Sequence, residues 1–143
     1  MGVNVRSKGA TGERDAIRVV QTWADEVCEL AGLPPVVLAR NLEQSRSGGC
    51  DVVGIDWLAL EVKRHENLAI PGWWRQAVRQ AGPGQVPVLM YRQNRTPWKF
   101  RVALAAAHPG VYGWTTPLTV DMALDEMAAW FKAEFWARLH AGG

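Results

Sequence analysis

The chain has 143 residues, the size of one domain, since a single core usually holds about 100–150 residues. Apolar residues make up 48% and charged residues 21%, with a formal net charge of +2, which excludes a disordered chain. The longest uncharged stretch, 102–120, is broken by Pro109, Gly110, Gly113 and Pro117, so it cannot supply the roughly 20 continuous apolar residues of a membrane span.

The polar, basic start over residues 1–8 predicts no secretory leader. Two cysteines, Cys28 and Cys50, form no CxxC pair, which excludes a disulfide framework and a zinc finger or ribbon. A reducing, cytoplasmic setting is expected. The first helix is predicted from Thr11 or Gly12, on apolar positions Ile17, Val20, Ala24, Val27 and Ala31 at helical spacing. Gly32 and the Pro34–Pro35 pair should stop it. Residues 35–39 read as a short strand, and 45–49 as a loop.

Two β-rich runs follow, 50–55 and 57–64, with Asp56 at the turn between them. In the second run Leu58, Leu60 and Val62 point one way, while Ala59, Glu61 and Lys63 point the other. Pro71 suits the first turn of a second helix ending near Ala81. Residues 86–91 and 98–104 read as strands, 105–118 as irregular, and Thr119 as the cap of a last helix. That helix would carry Val120, Leu124, Met127, Ala128, Phe131, Phe135 and Leu139 on its apolar stripe. The order α-β-β-β-α-β-β-α predicts an α/β (α+β) domain with a central mixed β-sheet flanked by helices.

The small net charge conceals an asymmetry. Residues 63–101 hold eight basic residues against one acid, Glu66, whereas 102–143 hold two basic residues and four acids. A basic tract in a near-neutral chain suits a polyanion such as nucleic acid, although a solvated basic face would look the same. Eight tryptophans are more than a core this small buries fully, and some are expected at an interface.

Four residues carry the candidate chemistry: Glu13, Asp51, Glu61 and Lys63. Glu61 and Lys63 share one face of a strand, and a hairpin turning at Asp56 sets Asp51 opposite Glu61, with Cβ atoms about 5 Å apart. Carboxylates that close repel unless a cation lies between them. Oxygen ligands of this kind suit Mg²⁺ or Mn²⁺. Such an ion activates water, and the adjacent lysine can orient the water or neutralise charge on a phosphodiester. Gly48 and Gly49 leave room for a backbone phosphate. Each piece alone has an ordinary explanation: a surface salt-bridge pattern for Glu61-x-Lys63, a helix-dipole interaction for Glu13, a turn for Asp56 and the glycines. Their combination is the informative part.

The string Gly48-Gly49-Cys50-Asp51, followed after nine residues by Glu61-Val62-Lys63, resembles the PD-(D/E)xK nuclease core. The opening from Arg6 to Asp15 resembles the start of archaeal-type Holliday junction resolvases and their phage-encoded relatives. The resemblance covers 6–103 and is strongest over 6–14 and 47–80; residues 104–143 lie outside it. It divides a single nuclease domain, 1–143, into a core and a C-terminal extension that is a candidate dimerisation element. It implies a restriction-endonuclease-like fold, with Asp51 and Glu61 as metal ligands helped by the Val62 carbonyl. Lys63 would be the catalytic lysine and Glu13 the helix-1 glutamate completing the site. Ser47 would match a serine of the cellular resolvases, and Gln76 a helix glutamine beside the active site, though a surface amide is an equal reading of Gln76. Cys50 stands where the family has proline.

The resemblance further implies a Mg²⁺-dependent endonuclease, with Mn²⁺ as substitute, acting as a homodimer on four-way DNA junctions, in the host cytoplasm for a phage-encoded chain. Arg6, Lys8, Arg46, Arg64, Arg75 and Arg79 are candidate phosphate contacts. His65, His108 and His140 show no metal-ligand spacing. Two alternatives stay open: another PD-(D/E)xK endonuclease of nicking, repair or restriction type, and a DNA-binding protein without catalysis.

Overall fold

A computed structural model describes residues 5–43, 48–114 and 117–141, the first six as backbone alone. Helix α1, Val5–Ala31, starts earlier than its apolar stripe predicts. Its buried positions Ala16, Val20, Trp23, Ala24 and Val27 keep the expected spacing. It ends at Gly32 with φ 68°. There the Leu33 N–H donates to the Cys28 carbonyl at 3.0 Å, and the Gly32 N–H to the Glu29 carbonyl at 3.1 Å. This left-handed cap satisfies carbonyls that the last turn leaves open.

The strand expected over 35–39 is reduced to β1, Ala39–Arg40. Pro34 and Pro35 bring no N–H, and the backbone beyond them is taken by a side chain. Gln21 donates to the Val36 carbonyl at 2.8 Å and accepts from the Leu38 N–H at 2.9 Å. The segment therefore lies on α1 instead of joining the sheet.

The sheet continues with β2, Val52–Val53, β3, Leu58–His65, β4, Val86–Gln93, β5, Lys99–Ala103, and β6, Thr119–Ala123. Its six strands lie in sequence order. The β3/β4 pair is parallel, in register from Leu58↔Val86 to His65↔Gln93, and the other pairs are antiparallel. Helix α2, Ile70–Gln80, makes the crossover that a parallel pair requires. A short helix α3, Leu104–Ala107, precedes β6, and α4, Leu124–Ala141, closes the chain. The mixed, helix-flanked sheet is the predicted class.

One detail here differs from expectation. Residues 119–123 are an edge strand instead of the start of the last helix, because β5 pairs with them from Lys99↔Ala123 to Ala103↔Thr119. The helical stripe accordingly shrinks to Met127, Phe131 and Phe135. The Ala59/Glu61 face of β3 is buried as well as the Leu58/Leu60/Val62 face. A strand paired in parallel and covered by its own crossover helix has no solvent side.

The main core lies on the α1/α4 face of the sheet and includes Leu58, Leu60 and Val62. Phe131 sits there against Trp23, Trp57 and Phe135. A smaller cluster on the other face joins Ala77, Leu89 and Tyr91 to Trp73 and Trp74. Trp114 and Trp136 are exposed. No helix among the described residues is long and apolar enough to cross a membrane.

Candidate active site

The hairpin register pairs Val52 with Leu60, which sets Asp51 opposite Glu61 one step further out. The loop before Asp51 is shaped by Gly48 (φ 70°) and Gly49 (φ 90°), conformations that side chains resist. Asn41 holds it, donating to the Gly48 and Cys50 carbonyls at 3.2 and 2.9 Å. The Asn41 N–H donates to the Asp51 carbonyl at 2.8 Å. The Asp51 carboxylate accepts from the Val62 N–H at 2.8 Å, so it is pinned to the strand that carries Glu61. Both carboxyl groups are buried, Asp51 8% and Glu61 1% exposed.

Burial pushes the Glu61 carboxyl up to about 9, and its hydrogen bond with Asp51 and the Asp51 charge push the same way. Lys63 opposes them, and Glu13 adds a weaker upward push. At neutral pH these influences favour the protonated form of Glu61. The neighbouring Cys50 thiol is also pushed up, chiefly by burial, and it donates to the Val52 carbonyl at 3.1 Å. In the position of the resembled proline it serves as a packed, hydrogen-bonded residue.

Glu13 lies close enough for Glu61 to feel its charge, but its carboxylate accepts from Arg40 Nε at 2.6 Å. Gln76 is half-buried on α2. The glutamine that meets the site is Gln80, one helical turn on. With its amide nitrogen turned toward the strand, it donates to both Glu61 oxygens. Gln76 and Gln80 stand at i and i+4, hence on one helix face. Choosing between them requires knowing where α2 crosses β3, which spacing along the chain does not reveal. Arg40 was equally silent, since only the fold brings β1 to Glu13.

Ser47 and Arg46 lie outside the described residues, and Arg6 and Lys8 belong to the part of α1 described as backbone. Arg75 and Arg79 are exposed on α2, while Arg64 is half-buried on the opposite face of β3 from Lys63.

The acidic donors fit a divalent cation of the hard type. Two buried carboxyls set side by side favour a positive charge between them, and Mg²⁺ is commonly held by one or two carboxylates with water completing its shell. Among the described residues no group of three or more His, Cys, Asp or Glu side chains is gathered for a metal. A closed all-protein cage is thus absent there.

The chain as a whole superposes on a solved structure. The 1.6 Å structure of Archaeoglobus fulgidus Hjc, a Holliday junction resolvase from an archaeal hyperthermophile, superposes with a TM-score of 0.50. The fold is shared with a Holliday junction resolvase. The match covers 85% of this chain and 96% of Hjc at 18% sequence identity. No family model matches the sequence, and no curated protein matches it. At this identity the likeness to Hjc speaks for architecture, and the chemistry is argued from the residues themselves.

Proposed function

We propose that the chain is a divalent-metal-dependent DNA endonuclease that resolves four-way junctions as a homodimer. One observation carries the reading: Asp51 and Glu61 are buried opposite each other across the β2/β3 hairpin, on the strand that also bears Lys63, in a fold shared with a junction resolvase.

Asp51, Glu61 and the Val62 carbonyl would hold Mg²⁺, with Mn²⁺ as substitute. Bound there, the ion supplies Lewis-acid activation of water and of the phosphodiester. The chain's own residues prepare that chemistry. The Val62 N–H fixes the Asp51 carboxylate, and Gln80 orients the Glu61 carboxylate. Lys63 supplies an ammonium that orients the attacking water and offsets charge developing on the phosphate. Glu13, held by Arg40, acts through the field it adds. Two such sites related by a twofold axis would cut opposed strands of a junction, and a twofold dimer is the commonest closed assembly. Arg6, Lys8, Arg46, Arg75 and Arg79 are proposed phosphate contacts, with recognition through backbone and shape.

The test is cleavage of labelled four-way junction, flap and linear duplex DNA with Mg²⁺ and with EDTA, beside Glu61→Ala. Paired symmetric cuts in the junction, lost in EDTA and in the variant, are expected. Equal cutting of every substrate would keep a nuclease and remove the junction. Tight binding with no cutting would leave a DNA-binding protein.

A further inference from the structure

At the carboxyl ends of the parallel strands β3 and β4 lies an open cleft of about 650 Å³, lined by Arg64, Glu66, Asn67, Gln93, Asn94 and Arg95. Every lining side chain is polar, and its walls are tied together. Gln93 donates to the Glu66 carbonyl at 2.7 Å, and the Asn94 N–H to the His65 carbonyl at 3.1 Å. The turn out of β4 is closed by Thr96, whose N–H and hydroxyl both donate to the Gln93 carbonyl. It holds Arg95 at φ 65°.

The electrostatics behind the cleft are unbalanced. Asp15 meets Arg92 at 3.3 Å and Arg18 at 3.4 Å, while Arg64 comes no nearer than 3.9 Å. Three guanidinium groups thus face one carboxylate. Arg92 is also held over the Trp98 ring, 4.4 Å from its centroid, which leaves Arg64 as the cation least committed to Asp15. Arg64 Nε and Asn94 Oδ1 are buried without hydrogen-bond partners. Glu66, the acid of the lining, is exposed and can turn to solvent.

We propose that this cleft is a second anion site, which takes a backbone phosphate of the nucleic acid about three to five nucleotides from the scissile bond. Guanidinium forks beside side-chain amides are the groups that bind phosphodiester oxygens, and an open polar trough suits a polymer segment. The spacing follows from β3 itself. Glu61 and the cleft residues Arg64 and Glu66 are three and five positions apart, or about 10–16 Å at the rise of a strand. That is about three to five nucleotides at roughly 3.4 Å each. The distance to a scissile bond rests on the nuclease reading; the anion site itself does not.

The test is a titration of fluorescent duplex and four-way junction DNA with the full chain in EDTA, between about 50 and 200 mM salt. Arg95→Asn keeps a residue type that accepts the left-handed conformation and removes the charge; Arg64→Gln joins it in a double variant. The slope of log affinity against log salt should shrink by about one for the single change and about two for the double. Affinity should fall alike for unrelated sequences. Partly misfolded protein would lower the bound amplitude without moving the slope. Unchanged slopes in both variants would overturn the site. The two readings fail separately: wild-type protein that binds and does not cut removes the nuclease, and a full nuclease with unchanged slopes removes the cleft.

Discussion

Glu61 is the most constrained titratable residue of the site, buried between α2 and the sheet with its carboxyl pushed up to about 9 by burial and by Asp51. A metal that binds there must displace a proton. Calorimetry at pH 7 in two buffers of different ionisation enthalpy should therefore find about one proton released per Mg²⁺ bound, with affinity rising as pH approaches 9. Zero proton release would take Glu61 out of the metal site. The same shift sets a stability trend in metal-free protein. The folded state holds this proton more tightly than the unfolded chain, whose carboxyl titrates near 4.5. The contribution is full below 4.5 and is lost as pH rises through about 9, so denaturant midpoints should fall across that window, and less so in Glu61→Gln. Gln80 is a positioning residue for this carboxylate. Gln80→Ala should cut the cleavage rate by about tenfold or more, the effect of one lost buried hydrogen bond to a charged group, and should shift the Mg²⁺ requirement and the pH profile. Gln76→Ala should change neither. Lys63→Ala should lower cleavage by about 10²-fold or more and leave junction binding in EDTA intact; lost binding by a folded protein would contradict its catalytic role.

At the scale of elements, what could be read from the sequence was what local periodicity controls. The alternation 58–63 put Glu61 and Lys63 on one strand face, and Asp56 between two β-rich runs fixed the hairpin and hence the Asp51–Glu61 juxtaposition. Elements decided by distant partners were not legible. Gln21 reaches across to claim the backbone of Val36 and Leu38, and no local pattern announces that. Thr119–Ala123 carries residues that also suit a helix, and it becomes a strand because β5 offers an edge. Glu13 was legible as a helix-1 acid, but its ion pair with Arg40 depends on the fold. The helical spacing of Met127, Phe131 and Phe135 marks the buried face of α4. Buried in an aromatic cluster with Trp23, Trp57 and Phe135, Phe131→Ala should cost about 3–5 kcal/mol, measured as a lowered urea midpoint with unchanged slope. A loss below about 1 kcal/mol would mean that α4 adds little to the core.

At the scale of the whole molecule, the basic tract 63–101 is distributed over β3, α2, β4 and β5, and the α1 and α4 helices cover the opposite side of β3 from the candidate site. Sedimentation of the full chain should show a species of twice the monomer mass; a clean monomer at micromolar concentration would undermine symmetric junction cutting. Helices α1 and α4, from opposite ends of the chain, pack on the same face of the sheet, and Lys132 reaches Glu26 between them. A segment made later therefore helps to cover a surface laid down by one made much earlier. On the ribosome, the part of the core that α4 covers, around Trp23 and Trp57, stays open to water until Phe131 and Phe135 emerge. A contact of such long sequence separation closes slowly, and exposed apolar sheet is the form in which nascent chains aggregate. Synthesis itself thus leaves an interval in which apolar core surface is uncovered, and truncation before Phe131 should make that interval permanent, seen as aggregation of the shortened chain.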